Sequence, residues 1–300
     1  MSHAVINTIV CVLLVCALAM FLFRKLFPDH FDKQLEKKAK QIREAQTKKD
    51  DELLGKRMFV PRDGKNDVKV ILYVPHDVRR EGKLPAVFLA HGGSFMEGSA
   101  DQMDTFCSRC ADQWESVIVS IDYTTMDVQQ FPYPQEEIVD TVMYFAVHSS
   151  EYNIDPHRFA MTGFTAGAYL LVGAAALLKE KRFTVRGLIS FYPIVDDAMI
   201  NLCDIGAHIS PFTLVTTGAD TMKDRYPVYI QHLKNSGTDL NVKTYDDAVQ
   251  NFMEYNNPEY KNNPQYARSD AIGEEQAELA RACEIWMGSE FERFYDDGNK

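Results

Sequence analysis

The chain has 300 residues, 46% of them hydrophobic and 25% charged, and a formal net charge of −11. This balance suits an ordinary folded chain with ample material for a core, and it excludes both a disordered chain and a small disulfide-stapled domain. An acidic chain is also a poor general nucleic-acid binder, so no nucleic-acid partner is expected.

The charge is unevenly placed. Residues 1–23 carry no Asp, Glu, Lys or Arg, residues 24–49 hold nine basic and four acidic side chains, and the remainder stands at −16. From Ala4 to Phe23 only Asn7 and Thr8 are plainly polar, and twenty helical residues at about 1.5 Å each cross a hydrocarbon core of about 30 Å. Residues 1–25 therefore read as a single-pass transmembrane anchor, with the membrane as partner through residues 4–23. The rival reading is a cleaved signal peptide, because Ala17-Leu18-Ala19 fits a small-residue cleavage pattern, but no Lys or Arg precedes the apolar run. The nine basic residues from Arg24 to Lys49 place the body of the protein in the cytoplasm by the positive-inside rule.

Residues 26–57 read as a charged helical stalk. Phe31, Leu35, Ala39, Ile42 and Ala45 recur at spacings of four and three, which makes one thin apolar stripe. Such a helix serves either as a lid or stalk against anionic headgroups or as a solvated spacer.

Residues 58–300 read as one domain. Strands are predicted at Val68–Val74, Ala86–Ala90, Ser116–Ile121, Phe159–Met161, Gly187–Phe191, Phe212–Thr217 and Asn241–Tyr245, and helices at Gln135–His148, Ala166–Lys181, Asp224–Asn235 and Glu274–Trp286. The alternation predicts an α/β fold with a mostly parallel central sheet and helices on both faces. Cys107 and Cys110 have C-x-x-C spacing, but no second Cys or His pair matches them, and two small apolar side chains on a packed helix explain them. No P-loop, dinucleotide fingerprint or metal-ligand cluster is visible, so no metal and no cofactor are expected.

In such a sheet the chemistry belongs at the carboxyl ends of the strands. One end carries His91-Gly92-Gly93-Ser94-Phe95, whose glycines let the backbone turn and present N–H groups to an anion. Another carries Gly163-Phe164-Thr165-Ala166-Gly167, a G-x-T-x-G sequence between a strand and a helix, which is a nucleophile-elbow context.

These segments resemble the α/β-hydrolase fold, specifically carboxylesterases of the hormone-sensitive-lipase and arylacetamide-deacetylase type. His91 to Phe95 is similar to the family's oxyanion loop, Asp122-Tyr123 to its Asp-Tyr-Arg segment, and Phe131-Pro132 with Asp140 to its Phe-Pro and downstream Asp. Gly218-Ala219-Asp220 is similar to the turn that carries the triad acid. By resemblance Gly93, Ser94 and Ala166 are the oxyanion donors, with His91, Gly92, Gly163 and Gly167 supporting them. The triad positions fall on Thr165, Asp220 and Gln250. Two of them depart from the family: Thr165 stands where it has Ser, and Gln250-Asn251-Phe252 stands where it has His-Gly-Phe. Gln cannot accept a proton as a base, and Asp220 is expected only to hydrogen-bond Gln250. The short interval from Pro193 to Pro211 implies a truncated cap over the pocket.

Two functional readings follow. One is a membrane-tethered pseudohydrolase that keeps a surface for a small acyl or ester-like ligand or a protein partner. The other is an active carboxylic-ester hydrolase with Thr165 as nucleophile.

Overall fold

A computed structural model describes residues 28–196, 211–261 and 273–296, with side chains from residue 33 onward. The predicted span at 4–23, Cys203, His208 and most of the interval from Pro193 to Pro211 lie outside the described residues. Among the described residues no helix is long and apolar enough to cross a membrane.

The chain divides into two compact units, Met1–Ala45 and Gln46–Lys300. In the first, helix α1 runs through the predicted stripe and ends at Gln46 (Pro28–Gln46). The helix ends eleven residues before the predicted stalk boundary at residue 57. Lys48 Nζ pairs with Asp104 and Glu259, each at 2.8 Å, and the N–H groups of Leu54 and Gly55 donate to Asp104. Lys56–Val60 is already the first strand, β1. It escapes sequence reading because it is a short edge strand paired only to β2 (Val68–Tyr73), begins with Lys56-Arg57 and buries only Val60 fully, which leaves too few apolar positions to show alternation.

The remaining strands are β3 (Leu84–Ala90), β4 (Val117–Asp122), β5 (Ile154–Phe164), β6 (Leu188–Phe191), β7 (Phe212–Ala219) and β8 (Leu240–Val249). They form one eight-stranded sheet in the order β1-β2-β4-β3-β5-β6-β7-β8. The first two pairings are antiparallel and all the others parallel, as the alternating pattern predicts.

Parallel strands need helical crossovers, and those helices cover both faces. The period of two along β3 shows it directly. Ala86, Phe88 and Ala90 join one core cluster, with helices α3 (Tyr133–Val147), α4 (Ala166–Glu180) and α5 (Tyr226–Asn235). Val87 and Leu89 join the other, with α2 (Asp104–Trp114) and α8 (Glu274–Asp296). Two short helices, α6 (Phe252–Tyr255) and α7 (Pro258–Lys261), follow β8. Cys107 and Cys110 lie on α2 as fully buried free thiols, and burial pushes both up in pKa.

Phe88 is fully buried on β3, with ring centroids 5.9 Å from Phe145 and 5.0 Å from Phe159. Phe88→Ala is expected to cost about 3–5 kcal/mol of unfolding free energy, while Val147→Ala, at a side chain 75% exposed, changes it by less than about 0.5 kcal/mol. Urea denaturation of both variants checks this, and similar midpoints would refute it.

Candidate active site

β5 runs through the middle of the sheet and leaves it at Thr165, which α4 follows without a linker. The chain reverses there at φ 46° and ψ −108°, a left-handed backbone that costs a β-branched residue about 1–3 kcal/mol. The surroundings hold it. Thr165 N–H donates to Phe191 O at 3.0 Å, and Thr165 O accepts from Tyr169 N–H at 3.2 Å. The flanking glycines are required by space: a Cβ on Gly163 would lie 2.8 Å from Leu171 Cδ1, and one on Gly167 would collide with the carbonyl oxygens of Ala90 and His91.

That close approach brings the loop after β3 against the elbow. Gly93, Ser94 and Phe95 take φ values of 129°, 51° and 68°, and the N–H groups of Gly93 and Ser94 donate to no backbone acceptor among the described residues. Ala166 opens α4, where the first N–H groups lack intrahelical partners. His91 sits behind the loop, fully buried and stacked on Tyr123 at 4.3 Å, with Nδ1 2.7 Å from Gly92 O. Burial lowers its pKa. A neutral imidazole wedged in this way is a prop for the loop.

Thr165 and the Gly92–Ser94 backbone line a cavity of about 340 Å³, whose other walls include Gln250, Asn251, Glu254 and Tyr260. The structure therefore brings Thr165, Gly93, Ser94 and Gln250 to one cavity. It does not form the expected Asp220–Gln250 pair. Asp220 accepts from Met222 N–H at 2.8 Å and Tyr226 OH at 2.6 Å, and Gln250 Oε1 instead accepts from Thr221 Oγ1 at 3.1 Å. Asp220 is buried, which raises its pKa, and its two bonds tie the turn after β7 to the start of α5. His232 lies on α5 and is not part of the cavity wall.

Sequence reading missed Glu254. It sits on α6, fully buried, with Oε2 accepting from Tyr192 OH. Its Oε1 and the Thr165 Oγ1 lie 3.1 and 2.8 Å from the one point a Cβ on Gly92 would occupy, so both border the same small space beside Gly92, without a direct hydrogen bond between them. Burial pushes the carboxyl up to about 7, against the opposing hydrogen bond from Tyr192. The only sequence signal was an acidic residue inside a short apolar run, Phe252-Met253-Glu254-Tyr255.

A family model described as alpha/beta hydrolase fold matches residues 87–203, which hold the glycine loop and the elbow. The chain is also similar to solved structures over nearly all of its length. A thermophilic and thermostable carboxylesterase cloned from a metagenomic library is 19% identical with a TM-score of 0.65, covering 89% of this chain and 97% of the other. A hyperthermophilic esterase from the archaeon Pyrobaculum calidifontis is 18% identical with a TM-score of 0.62, covering 90% and 96%. A thermostable esterase from Pseudomonas putida is 15% identical with a TM-score of 0.68, covering 88% and 90%. The chain has the α/β-hydrolase fold.

Within this α/β-hydrolase frame, Glu254 links pH to stability. Between the unfolded value of 4.5 and the folded value of about 7, the native state keeps a proton that the unfolded chain releases. Stability therefore falls as pH rises through that window and levels off above it. Glu254→Gln removes the titration while keeping an acceptor for Tyr192. Its stability relative to wild type is expected to improve by about 3 kcal/mol between pH 4.5 and pH 8. Urea denaturation at pH 4.5, 6 and 8 reads this, and a gap independent of pH would contradict it.

Proposed function

We propose that the protein is a carboxylic-ester hydrolase in which the Thr165 hydroxyl accepts the acyl group and the N–H groups of Gly93, Ser94 and Ala166 hold the oxyanion. The observation that carries this reading is the elbow itself. A β-branched residue is kept at φ 46°, its hydroxyl turned toward Gly92 inside the cavity, a strain the fold has reason to maintain only for a group that must be presented there. Backbone donors suit a tetrahedral intermediate because they are fixed before charge develops and need no reorganisation. The esterases among the similar structures support an ester as substrate class.

A second reading is supported by Gln250, which lines the cavity, cannot take a proton and by resemblance stands where the family has its base. In it, the protein holds an acyl or ester-like ligand, or a protein partner, without turning it over. We also propose that residues 4–23 tether the protein to a membrane with residues 46–300 on the cytoplasmic side, supported by the apolar run and the basic segment that follows it.

Hydrolysis of p-nitrophenyl acetate and butyrate is expected from the wild type, with kcat/KM falling at least about 100-fold in Thr165→Ala. A silent wild type that becomes active as Thr165→Ser/Gln250→His favours the second reading. For the tether, the full chain is expected to stay in the membrane pellet after an alkaline carbonate wash, and its release would count against a spanning anchor.

A further inference from the structure

The substitution at residue 250 leaves the Thr165 hydroxyl without the family's proton acceptor, and no histidine among the described residues lines the cavity. A carboxylate lies there instead. Asn251 turns through φ 67° at the end of β8 and starts α6, whose residues Phe252, Met253 and Glu254 are all buried. Glu254 thereby enters the cavity wall four residues after Gln250. One of its oxygens is anchored by Tyr192 OH. The other faces the Gly92 backbone beside the Thr165 Oγ1. Tyr192 is itself fixed, fully buried and donating its N–H to Val215 O at 2.7 Å.

We propose that Glu254 is the general base of this site, exchanging protons with the Thr165 hydroxyl, and that Tyr192 is its positioning residue; this rests on the ester-hydrolase reading above. Thr165 Oγ1 attacks the ester carbonyl carbon and its proton passes to Glu254 Oε1, giving a tetrahedral oxyanion on the Gly93, Ser94 and Ala166 N–H groups. When the intermediate collapses, the bond from acyl carbon to alkoxy oxygen breaks, and Glu254 returns the proton to the departing alkoxide. Water then adds to the acyl-threonine with its proton going to Glu254, and the same proton restores the hydroxyl as the acid leaves. The net change is ester plus water to acid plus alcohol, with Glu254 ionised at start and end. Burial supports the role, because it holds the carboxyl at about 7, where a base is most effective near neutral pH. The other titratable groups in the same wall are Glu97, Tyr255 and Tyr260, and Tyr192 is the one bonded to Glu254.

The test uses the full-length protein with p-nitrophenyl acetate, comparing wild type, Thr165→Ala, Glu254→Gln, Tyr192→Phe and His208→Ala across pH 5 to 9, with urea denaturation to establish that each variant is folded. Wild-type kcat/KM is expected to rise with pH through a midpoint near 7. Glu254→Gln is expected to lose at least about 100-fold and the midpoint with it, and combining it with Thr165→Ala adds little further loss, because the two groups act as a unit. The Tyr192 hydrogen bond lowers the carboxyl pKa, so Tyr192→Phe is expected to move the midpoint upward with KM nearly unchanged. A folded Glu254→Gln protein within about threefold of wild type and with the same midpoint, while Thr165→Ala is silent, overturns the role of Glu254 and leaves the hydrolase reading standing. That role is equally overturned if His208→Ala abolishes the activity that Glu254→Gln retains. A wild type inert to these esters overturns both readings together.

Discussion

The backbone at Thr165 turns left-handed because a central parallel strand ends and a helix begins with only that residue between them, and the rest of the site is arranged around that turn. For α4 to start so close to the sheet, Gly167 must pass against the carbonyls of Ala90 and His91, which leaves no room for a side chain. The same contact fixes the distance between the elbow and the glycine loop after β3. His91, wedged against Tyr123 and Gly92, holds that loop from behind. The hydroxyl and the backbone donors are thus positioned by one packing constraint, and neither depends on a flexible side chain.

The polar groups around this turn divide by what burial does to them. Asp220 is buried and bonded to Tyr226 and to the Met222 backbone, so its carboxylate works as a brace between β7 and α5. Glu254 is buried more completely and bonded through one oxygen to Tyr192. A carboxyl taken from water without a cation close by must either protonate or be held by hydrogen bonds, and Glu254 stands between these states near neutral pH. Groups balanced in that way, beside a strained residue and open donors, are where a protein gives up stability for chemistry.

Much of the architecture was legible in the chain. All seven strands read from short apolar runs occur, and the helices at α3, α4 and α5 fall within two residues of the expected ends. Most of those runs are buried on both faces, so hydrophobicity alone marks them, whereas Asn241–Tyr245 lies in an edge strand and buries none of its residues fully. The edge strand β1 was not legible because its five residues begin with Lys56-Arg57 and bury only Val60 fully. At the site, Gly93, Gly163 and Gly167 were legible because a tight turn and close packing demand glycine in a local pattern, and Ser94 and Thr165 were legible from their places beside those glycines. The expected Asp220–Gln250 pair was not formed, since the choice of partner for a buried carboxylate depends on which side chains packing brings within reach.

The sequence by itself determined the order of strands and helices, the glycine loop, and the G-x-T-x-G elbow at Thr165. Each is written in local spacing or in residue type. Only the tertiary structure decided that a carboxylate from α6 shares the space beside Thr165, that Tyr192 from the end of β6 anchors it, and that Asp220 braces a helix. Tyr192 and Glu254 lie 62 positions apart, and what joins such residues is the folding of separate strand ends onto one edge of the sheet, a proximity that no local pattern encodes.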